Sequence, residues 1–235
     1  MKKPTSSNNA ILVLECPWEL DSGDANRSSV LPFVEGVAKH AGSTEVFHAN
    51  FYDYRSFKQA LECLCKTRYA NTTVYVAGHG SRIHIGGVKV QDVLFDIGQK
   101  SKKFNITGVL LGACFAGKNN FLMEAFLEGT GLRWCAGYSS AVEWLPGTLV
   151  DCSILSRMCE MDPEDAEGRD SLVEMLGDAL APFSQTYPIG SDDEEDDVSL
   201  RDCVQFVVQP AGQGWKARTV TDDVFSSHLE CQVDD

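Results

Sequence analysis

The sequence VYVAGHG at residues 74–80 decides the fold, because a short apolar run stops there at a histidine between two glycines. A second apolar run, GVLLGACFAG at residues 108–117, stops at a cysteine. Short apolar runs that end at small residues predict strands buried on both faces of a parallel sheet. The carboxyl ends of such strands meet at one edge of an open α/β sheet, where ligands bind. We therefore expect His79 and Cys114 to face each other across that edge.

The pairing of a histidine with a cysteine indicates thiol chemistry. The thiolate is the nucleophile, and a free cysteine with a pKa of about 8.5 is mostly protonated at neutral pH. An imidazole within reach supplies the base or the stabilising cation. Gly80 lets backbone N–H groups approach a substrate carbonyl, so the amides of Gly80 and Cys114 are candidates for an oxyanion hole. The pair requires no metal and no cofactor, and the sequence contains no EF-hand-type calcium loop.

These two motifs resemble those of the caspase-like cysteine peptidases of clan CD, which include the caspases, the metacaspases and the CHAT proteases. In those families one strand runs into His-Gly, and the next runs into a small residue, the catalytic cysteine and a glycine three positions later. The matching residues are His79-Gly80 and 113–117, and residues 83–97 look like the hairpin and helix of CHAT-type domains. The resemblance covers residues 10–160. It implies a cysteine endopeptidase, activated by an upstream signal or by processing, in which Cys114 attacks the peptide carbonyl and His79 protonates the leaving amine.

The resemblance also points to residues that would bind the substrate. The segment 138–141 is similar to the one by which caspase-like enzymes pair with an extended peptide, so Ser139 and Ser140 are candidates. Trp144 is a candidate pocket wall. The residue two before the cysteine is usually polar in these families, whereas here it is Gly112. No single subfamily's substrate preference therefore transfers to this chain.

The loop after the first predicted strand carries charges of both signs. Its acidic residues would suit a substrate Lys or Arg, and its arginine would suit an acidic residue. The sequence leaves both choices open. The residues in question are Glu15, Glu19, Asp21 and Arg27.

Length and composition predict one domain. The chain has 235 residues, 43% of them hydrophobic, which is enough for one well-packed core. No stretch approaches the ~20 apolar residues that span a bilayer, and the first residues lack the apolar core of a signal peptide. We therefore expect no membrane segment and a cytoplasmic location. The nine cysteines include no CxxC pair, which argues against a disulfide framework and a tetrahedral zinc site.

Charge divides the chain into two parts. The formal net charge is −14, and residues 161–235 hold 19 of the 34 acidic residues but only 4 of the 20 basic ones. No basic stripe that could neutralise phosphates appears anywhere in the sequence. We therefore exclude nucleic acid as a partner. A protein or peptide substrate, with an activator protein or a second copy of the chain, is the expected partner set.

Strands alternate with helices along the first 160 residues. This alternation predicts a three-layer α/β/α sandwich with a mostly parallel, caspase-like sheet. Besides the two motif strands, we predict strands at 10–16, 45–50 and 132–138 and helices at 28–41, 56–67 and 120–128.

Residues 161–235 are predicted to complete the same domain. A helix is expected at 171–183 and a final strand at 203–209, and an exposed sheet edge near residues 204–208 could pair two chains as a homodimer. The acidic loop at 190–198 should repel itself and stay mobile. It is either a solvated connection or a regulatory loop whose deletion changes activity.

Two other functions are compatible with the sequence. A cysteine-dependent α/β-hydrolase needs Gly-x-Cys-x-Gly and a late histidine; residues 112–116 lack the final glycine, and only His228 is late enough. The second alternative is a catalytically silent caspase-like binding or regulatory module, because a fold does not guarantee its chemistry. The intact pair of His79 and Cys114 argues against that loss of function.

Overall fold

The computed structural model describes residues 8–18, 28–212 and 214–231. Its strands are β1 (Asn9–Glu15), β2 (Thr44–Asn50), β3 (Asn71–Ala77), β4 (His84–Ile85), β5 (Val88–Lys89), β6 (Ile106–Gly112), β7 (Trp134–Tyr138), β8 (Pro188–Ser191), β9 (Asp197–Ser199), β10 (Val204–Val208) and β11 (Arg218–Thr219). Its helices are α1 (Leu31–Ala41), α2 (Tyr54–Leu64), α3 (Val90–Phe104), α4 (Asn120–Leu127), α5 (Trp144–Met158), α6 (Arg169–Leu180), α7 (Leu200–Cys203) and α8 (Thr221–Cys231).

Seven of these strands form one sheet in the order β11-β10-β7-β6-β3-β1-β2. Five of them, β2, β1, β3, β6 and β7, run parallel to one another. Strand β10 is antiparallel to β7, and β11 is antiparallel to β10. The two motif strands, β3 and β6, are neighbours, and Ala77 lies opposite Gly112 at their carboxyl ends. Both chemistry-bearing loops therefore leave the sheet side by side, as the sequence predicts.

Helices cover both faces of the sheet. One core lies under α1, α5, α6 and α8, and the other lies under α2, α3 and α4. Along β3, Tyr75 and Ala77 face the first core while Val74 and Val76 face the second, so the strand is buried on both faces. This alternation confirms the predicted three-layer α/β/α sandwich with its mostly parallel sheet.

Local sequence explains where the helices begin and end. The Asp53 carboxylate accepts a hydrogen bond from the Ser56 amide at the start of α2, and the Ser56 hydroxyl in turn accepts the Asp53 backbone N–H, which makes a capping box. Gly42 ends α1 in the left-handed conformation, and Asn105 ends α3 in the same way. The helices that follow β1 and the β4–β5 hairpin therefore stop just before the next strand starts.

The acidic segment differs from the prediction, because it forms a hairpin instead of a mobile loop. Strands β8 and β9 pair antiparallel and carry the run of acidic residues between them. The Asp192 carboxylate accepts the backbone N–H groups of Glu194 and Asp196, 2.8 and 3.1 Å away, and so closes the turn. Hydrogen bonds of this kind offset the repulsion between neighbouring carboxylates.

The sheet edge also differs from the prediction. Strand β10 is flanked by β7 on one side, and on the other side β11 pairs with residues 207 and 208, so that part of the predicted free edge at residues 204–208 is covered. The short strand β11 was not expected, because two residues carry no periodic pattern. Among the described residues, no helix has the length and apolarity needed to cross a membrane, and no cluster of three or more metal-ligating side chains occurs.

Candidate active site

The histidine loop leaves β3 and is fixed to the β4–β5 hairpin. The carbonyl oxygen of His79 accepts the Gly86 amide at 2.7 Å, and the Ser81 amide donates to the His84 carbonyl at 2.8 Å. The ring of Trp18 packs edge-on against the His79 imidazole, with 5.2 Å between ring centroids. These contacts hold the imidazole at the carboxyl edge of the sheet, where the sequence places it.

The cysteine loop is fixed to the segment that follows β7. The Phe115 amide donates to the Ser140 carbonyl at 3.0 Å, and the Gly117 amide donates to the Tyr138 carbonyl at 2.8 Å. Phe115 has a φ of 60°, a left-handed conformation that costs a non-glycine residue about 1–2 kcal/mol. Strain of this kind is concentrated at functional sites, and here it falls one residue after Cys114.

The two loops touch at the level of the backbone. A Cβ atom on Gly80 would collide with the Cys114 carbonyl oxygen and lie 2.6 Å from the Cys114 amide nitrogen. Only glycine therefore allows this approach. Gly80 also lies opposite Ile85 in an isolated antiparallel bridge. The hydrogen bonds of this bridge are formed by the neighbouring residues, so the N–H of Gly80 itself points away from the hairpin.

The amides of Gly80 and Cys114 are the donors that an oxyanion needs. Neither makes a hydrogen bond to another residue within the described part of the chain. A pair of fixed, unoccupied N–H groups beside a nucleophile is the arrangement that stabilises developing negative charge on a carbonyl oxygen. The predicted oxyanion hole is therefore compatible with the geometry.

The thiol of Cys114 is half-buried and contacts the backbone of Val142. The Val142 amide donates to Sγ at 3.3 Å, and Sγ lies 3.7 Å from the Val142 carbonyl oxygen. Among the described residues, the thiol forms no hydrogen bond other than these two. His79 lies in the adjacent loop and is not bonded to the thiol. Catalytic hydrogen bonds often form only when substrate binds.

A small pocket opens beside the thiol. Trp18, Val142, Trp144 and Thr148 contribute to its walls, and its volume of about 20 Å³ holds roughly one water molecule. A larger side chain could enter only if these walls moved. Trp144, the candidate pocket wall, is among the residues that line this cavity.

The floor of the pocket is Asp151, a residue that the sequence did not single out. Its carboxylate is 2% exposed and accepts the hydroxyl groups of Tyr75 and Tyr138 at 2.7 and 2.6 Å. Burial raises the pKa of Asp151 to about 7, although the two tyrosine hydrogen bonds act in the opposite direction. A Cβ atom on Gly112 would lie 2.7 Å from the Asp151 carboxylate, so the acid occupies the space that a side chain at position 112 would take. A carboxylate at an apolar position of α5 was the signal that could have revealed it.

Two donors of the pocket have no partner. The indole N–H groups of Trp18 and Trp144 are both buried, and neither forms a hydrogen bond with any described residue. A buried donor left unpaired costs stability. Both side chains line the pocket beside Cys114, so a ligand with acceptor atoms could satisfy them.

The two predicted serines bond to α7 and form no hydrogen bond with the Cys114 thiol. The hydroxyl of Ser139 donates to the carbonyls of Asp202 and Cys203, and that of Ser140 lies 2.9 Å from the Cys203 Sγ. Their side chains therefore anchor this segment to α7. Any contribution to substrate binding would come through the backbone.

The predicted acidic residue at the end of β1 lies in a network of its own. The Glu15 carboxylate accepts the Ser29 hydroxyl and the Val30 amide and contacts His48 at 3.0 Å. Burial alone raises the pKa of Glu15, but the hydrogen bonds from His48, Val30 and Ser29 outweigh it and leave the pKa below its usual value. Glu15 is not among the residues that line the pocket.

Several predicted residues lie outside the described part of the chain. Glu19, Asp21 and Arg27 are among them, as is the side chain of His228. The backbone of helix α8, which carries position 228, packs against α6 and β10.

The acidic hairpin borders the site. The Ala141 amide donates to the Ser191 carbonyl at 3.0 Å, the Ser191 amide donates back at 3.2 Å, and the Glu143 amide donates to the Ile189 carbonyl at 2.9 Å. Residues 141 and 143 therefore pair with β8, whereas the intervening Val142 turns its N–H and C=O toward Cys114. The segment 141–143 is an extended strand with one edge on the hairpin and the other at the thiol.

Comparisons with known proteins identify the fold but not a family. No protein-family model and no curated protein matches the chain. A similar solved structure is a secreted C11 cysteine protease from Bacteroides thetaiotaomicron in complex with an irreversible peptide inhibitor, with a TM-score of 0.50 and 8% identity over 85% of this chain and 66% of that one. A second structure, of the C11 protease iotapain from the same organism, gives a TM-score of 0.47 and 11% identity, covering 88% and 67% of the two chains.

At such low identity the first likeness shows the fold alone. It confirms the caspase-like α/β fold that the two motifs predict. The chain spans 66% of the length of that C11 protease, so the activity of the whole protease does not transfer.

Proposed function

We propose that the chain is a cysteine endopeptidase with Cys114 as nucleophile and His79 as general acid and base. The observation that supports this most is the contact of Gly80 with the backbone of Cys114. It places two unoccupied amide donors and the histidine loop beside a half-buried thiol. A merely structural cysteine at a strand end needs none of these features.

The residues present account for each step of peptide hydrolysis. His79 accepts the proton of the Cys114 thiol, and the thiolate attacks the peptide carbonyl carbon to form a C–S bond. The carbonyl oxygen becomes negative and accepts hydrogen bonds from the Gly80 and Cys114 amides. The C–N bond then breaks as His79 returns its proton to the leaving amine. Water hydrolyses the resulting thioester and regenerates the thiol.

The free edge of segment 141–143 would hold the peptide. Val142 points its N–H and C=O toward the thiol, and these groups can pair with the backbone of an extended peptide. The peptide would displace the thiol from Val142 and so release it toward His79. Substrate binding and thiol activation would then occur together.

The pocket beside Cys114 would select the residue before the scissile bond. Asp151 has no cationic partner within the described part of the chain, and its pKa of about 7 leaves it substantially ionised near neutral pH. A basic side chain would neutralise this buried charge, and carbonyl oxygens of the same peptide could accept the indole N–H groups of Trp18 and Trp144. We therefore propose Lys or Arg in this pocket, once its walls move apart.

A second candidate function is a caspase-like binding or regulatory module. The narrow pocket and the hydrogen bonds between the thiol and Val142 favour it, because both describe a site that is closed as it stands. Activation by an upstream signal, by processing or by an activator protein would open such a site. A cytoplasmic location and a homodimer also stay predictions; the similar solved proteases are secreted.

Hydrolysis of a fluorogenic peptide library, varied at the residue before the scissile bond, tests the proposal. Cys114→Ala and His79→Ala should each lower the rate at least 100-fold, because general acid–base catalysis alone contributes that much. The matched controls are Cys63→Ala and His40→Ala, which change exposed residues on α2 and α1 and should keep the wild-type rate. Hydrolysis that survives Cys114→Ala would contradict the proposal. Silence from wild type after proteolytic activation would favour the binding module.

A further inference from the structure

The tip of the acidic hairpin joins the two loops that carry the proposed catalytic residues. Asp193 forms an ion pair with Arg82, three residues after His79. The same carboxylate lies 3.6 Å from the ammonium of Lys118, four residues after Cys114. One carboxylate therefore lies between two cations, each supplied by a different loop.

Backbone hydrogen bonds hold the two loop segments that carry these cations beside the site. Lys118 lies over the ring of Phe115, 5.5 Å from its centroid, and its amide donates to the Phe115 carbonyl. Arg82 directly follows Ser81, whose amide donates to the His84 carbonyl. Neither cation lines the pocket beside Cys114, so they form a separate feature of the cleft.

Among the ion pairs of the described residues, both of these cations pair with Asp193 and with no other acid. The pairs are open to solvent: the side chains of Arg82, Asp193 and Lys118 are 57%, 53% and 42% exposed. Exposed ion pairs are weak and are screened by salt. Another carboxylate could therefore take the place of Asp193 at low cost.

The present occupant shows which ligand fits the two cations. It is a hairpin: strand β8 pairs with residues 141 and 143 through its backbone, and the turn after β8 presents the Asp193 carboxylate to Arg82 and Lys118. Gly190 lies so close to Ala141 and Val142 that a Cβ atom there would collide with the Ala141 carbonyl, so the pairing is tight. A peptide on the opposite, free edge of segment 141–143 would leave this pairing intact and would need only a carboxylate to take the place of Asp193 between the two cations.

We propose that Arg82 and Lys118 form a recognition site for an acidic residue of the peptide substrate, and that Asp193 occupies this site in the free molecule. The inference rests on the proposed function, because it takes the cleft between the two loops as the peptide-binding cleft. The acidic residue of the substrate would lie outside the pocket of Asp151. Asp193 acts as an internal competitor, so acidic substrates bind more weakly than the two cations alone would allow.

Peptide binding to the full chain with Cys114→Ala tests the proposal without any hydrolysis. The probes are fluorescein-labelled octapeptides of Ala and Ser with a central Lys, carrying one Asp at each position in turn, and the matching Asn peptides. Binding is measured by fluorescence anisotropy in 50 mM salt. Adding Asp193→Asn should tighten the best Asp peptide two- to fivefold and leave its Asn counterpart unchanged. The control Glu194→Gln alters the neighbouring acid on the same hairpin and should change neither.

Removal of the cations supplies the reverse test. Arg82→Gln and Lys118→Gln, added to Asp193→Asn, should each reduce the preference for Asp over Asn, as should 500 mM salt. An equal effect of Asp193→Asn on Asp and Asn peptides, no effect on either, or no binding by any Asp peptide would overturn the proposal. Because binding is read without cleavage, a failure of the endopeptidase itself appears separately, as wild-type hydrolysis that is absent or independent of Cys114.

Discussion

The two regions that meet at the cleft are held by different forces. The histidine and cysteine loops touch backbone to backbone, and at Gly80 no side chain larger than hydrogen fits. The base of the acidic hairpin is held by backbone hydrogen bonds and by the buried side chain of Ile189, whereas its tip is held by solvent-exposed ion pairs of Asp193. The proposed chemistry would therefore rest on close packing that one methyl group would disturb, whereas the tip of the hairpin beside it is held by charges that salt or a competing carboxylate can replace.

The largest expected effect lies in the buried region and concerns Asp151. Its pKa rises from 3.8 to about 7 on folding, so the folded chain binds the proton more tightly than the unfolded chain does. Its contribution to stability is fully present below pH 3.8, falls as pH rises and levels off above pH 7. A shift of this size corresponds to about 4 kcal/mol.

Asp151→Asn removes this titration, so the difference in unfolding free energy between variant and wild type should change between pH 4 and pH 7. Urea unfolding at several pH values measures it. Parallel stability profiles for the two proteins would show that Asp151 does not titrate in this range. The buried part of the site would then differ less from the acidic hairpin.

A smaller effect is expected at the contact of the two loops. Gly80→Ala places a methyl group against the Cys114 carbonyl, and overpacking of this kind costs about 1–3 kcal/mol. Hydrolysis should fall about 100-fold, because displacement of catalytic groups by about 1 Å has that effect. The matched control is Gly36→Ala in α1, where a Cβ atom meets nothing within 4 Å; it should stabilise the chain by about 0.5–1 kcal/mol. Wild-type activity in Gly80→Ala would show that the loops do not need this contact.

The difference between the regions also explains what the sequence could reveal. The carboxyl halves of β3 and β6, residues 74–77 and 108–112, are apolar on both faces, so composition and glycine placement predict them and the two loops that follow. The role of Asp151 in the pocket could not be predicted, because Asp151 lies in α5 and the position of this helix depends on its packing against the sheet. The hairpin was not predicted because the run of acidic residues indicates a solvated loop and hides the turn that Asp192 closes. Contacts such as that of Asp193 with Lys118 join residues 75 positions apart, so no local pattern predicts them.

The smallest effect is expected in the hairpin itself. Asp192→Ala removes the acceptor of the Glu194 and Asp196 amides, which should destabilise the hairpin by about 1 kcal/mol. Limited proteolysis at residues 191–198 should become about fivefold faster while global unfolding by urea is unchanged. Glu195→Gly should act in the opposite direction, because Glu195 has a φ of 67° that glycine adopts without strain. A change in global stability with Asp192→Ala would mean that the hairpin is as integral to the fold as the loops.

Reaction with a peptidyl acyloxymethyl ketone, followed by mass spectrometry of the labelled peptides, tests the dyad most directly. If His79 activates Cys114, the label forms a thioether at Cys114 at least 100-fold faster than at the exposed Cys63, and His79→Ala abolishes this difference. Labelling of Cys114 at the rate of Cys63, or at a rate that His79→Ala leaves unchanged, would contradict the assignment of a Cys114–His79 dyad.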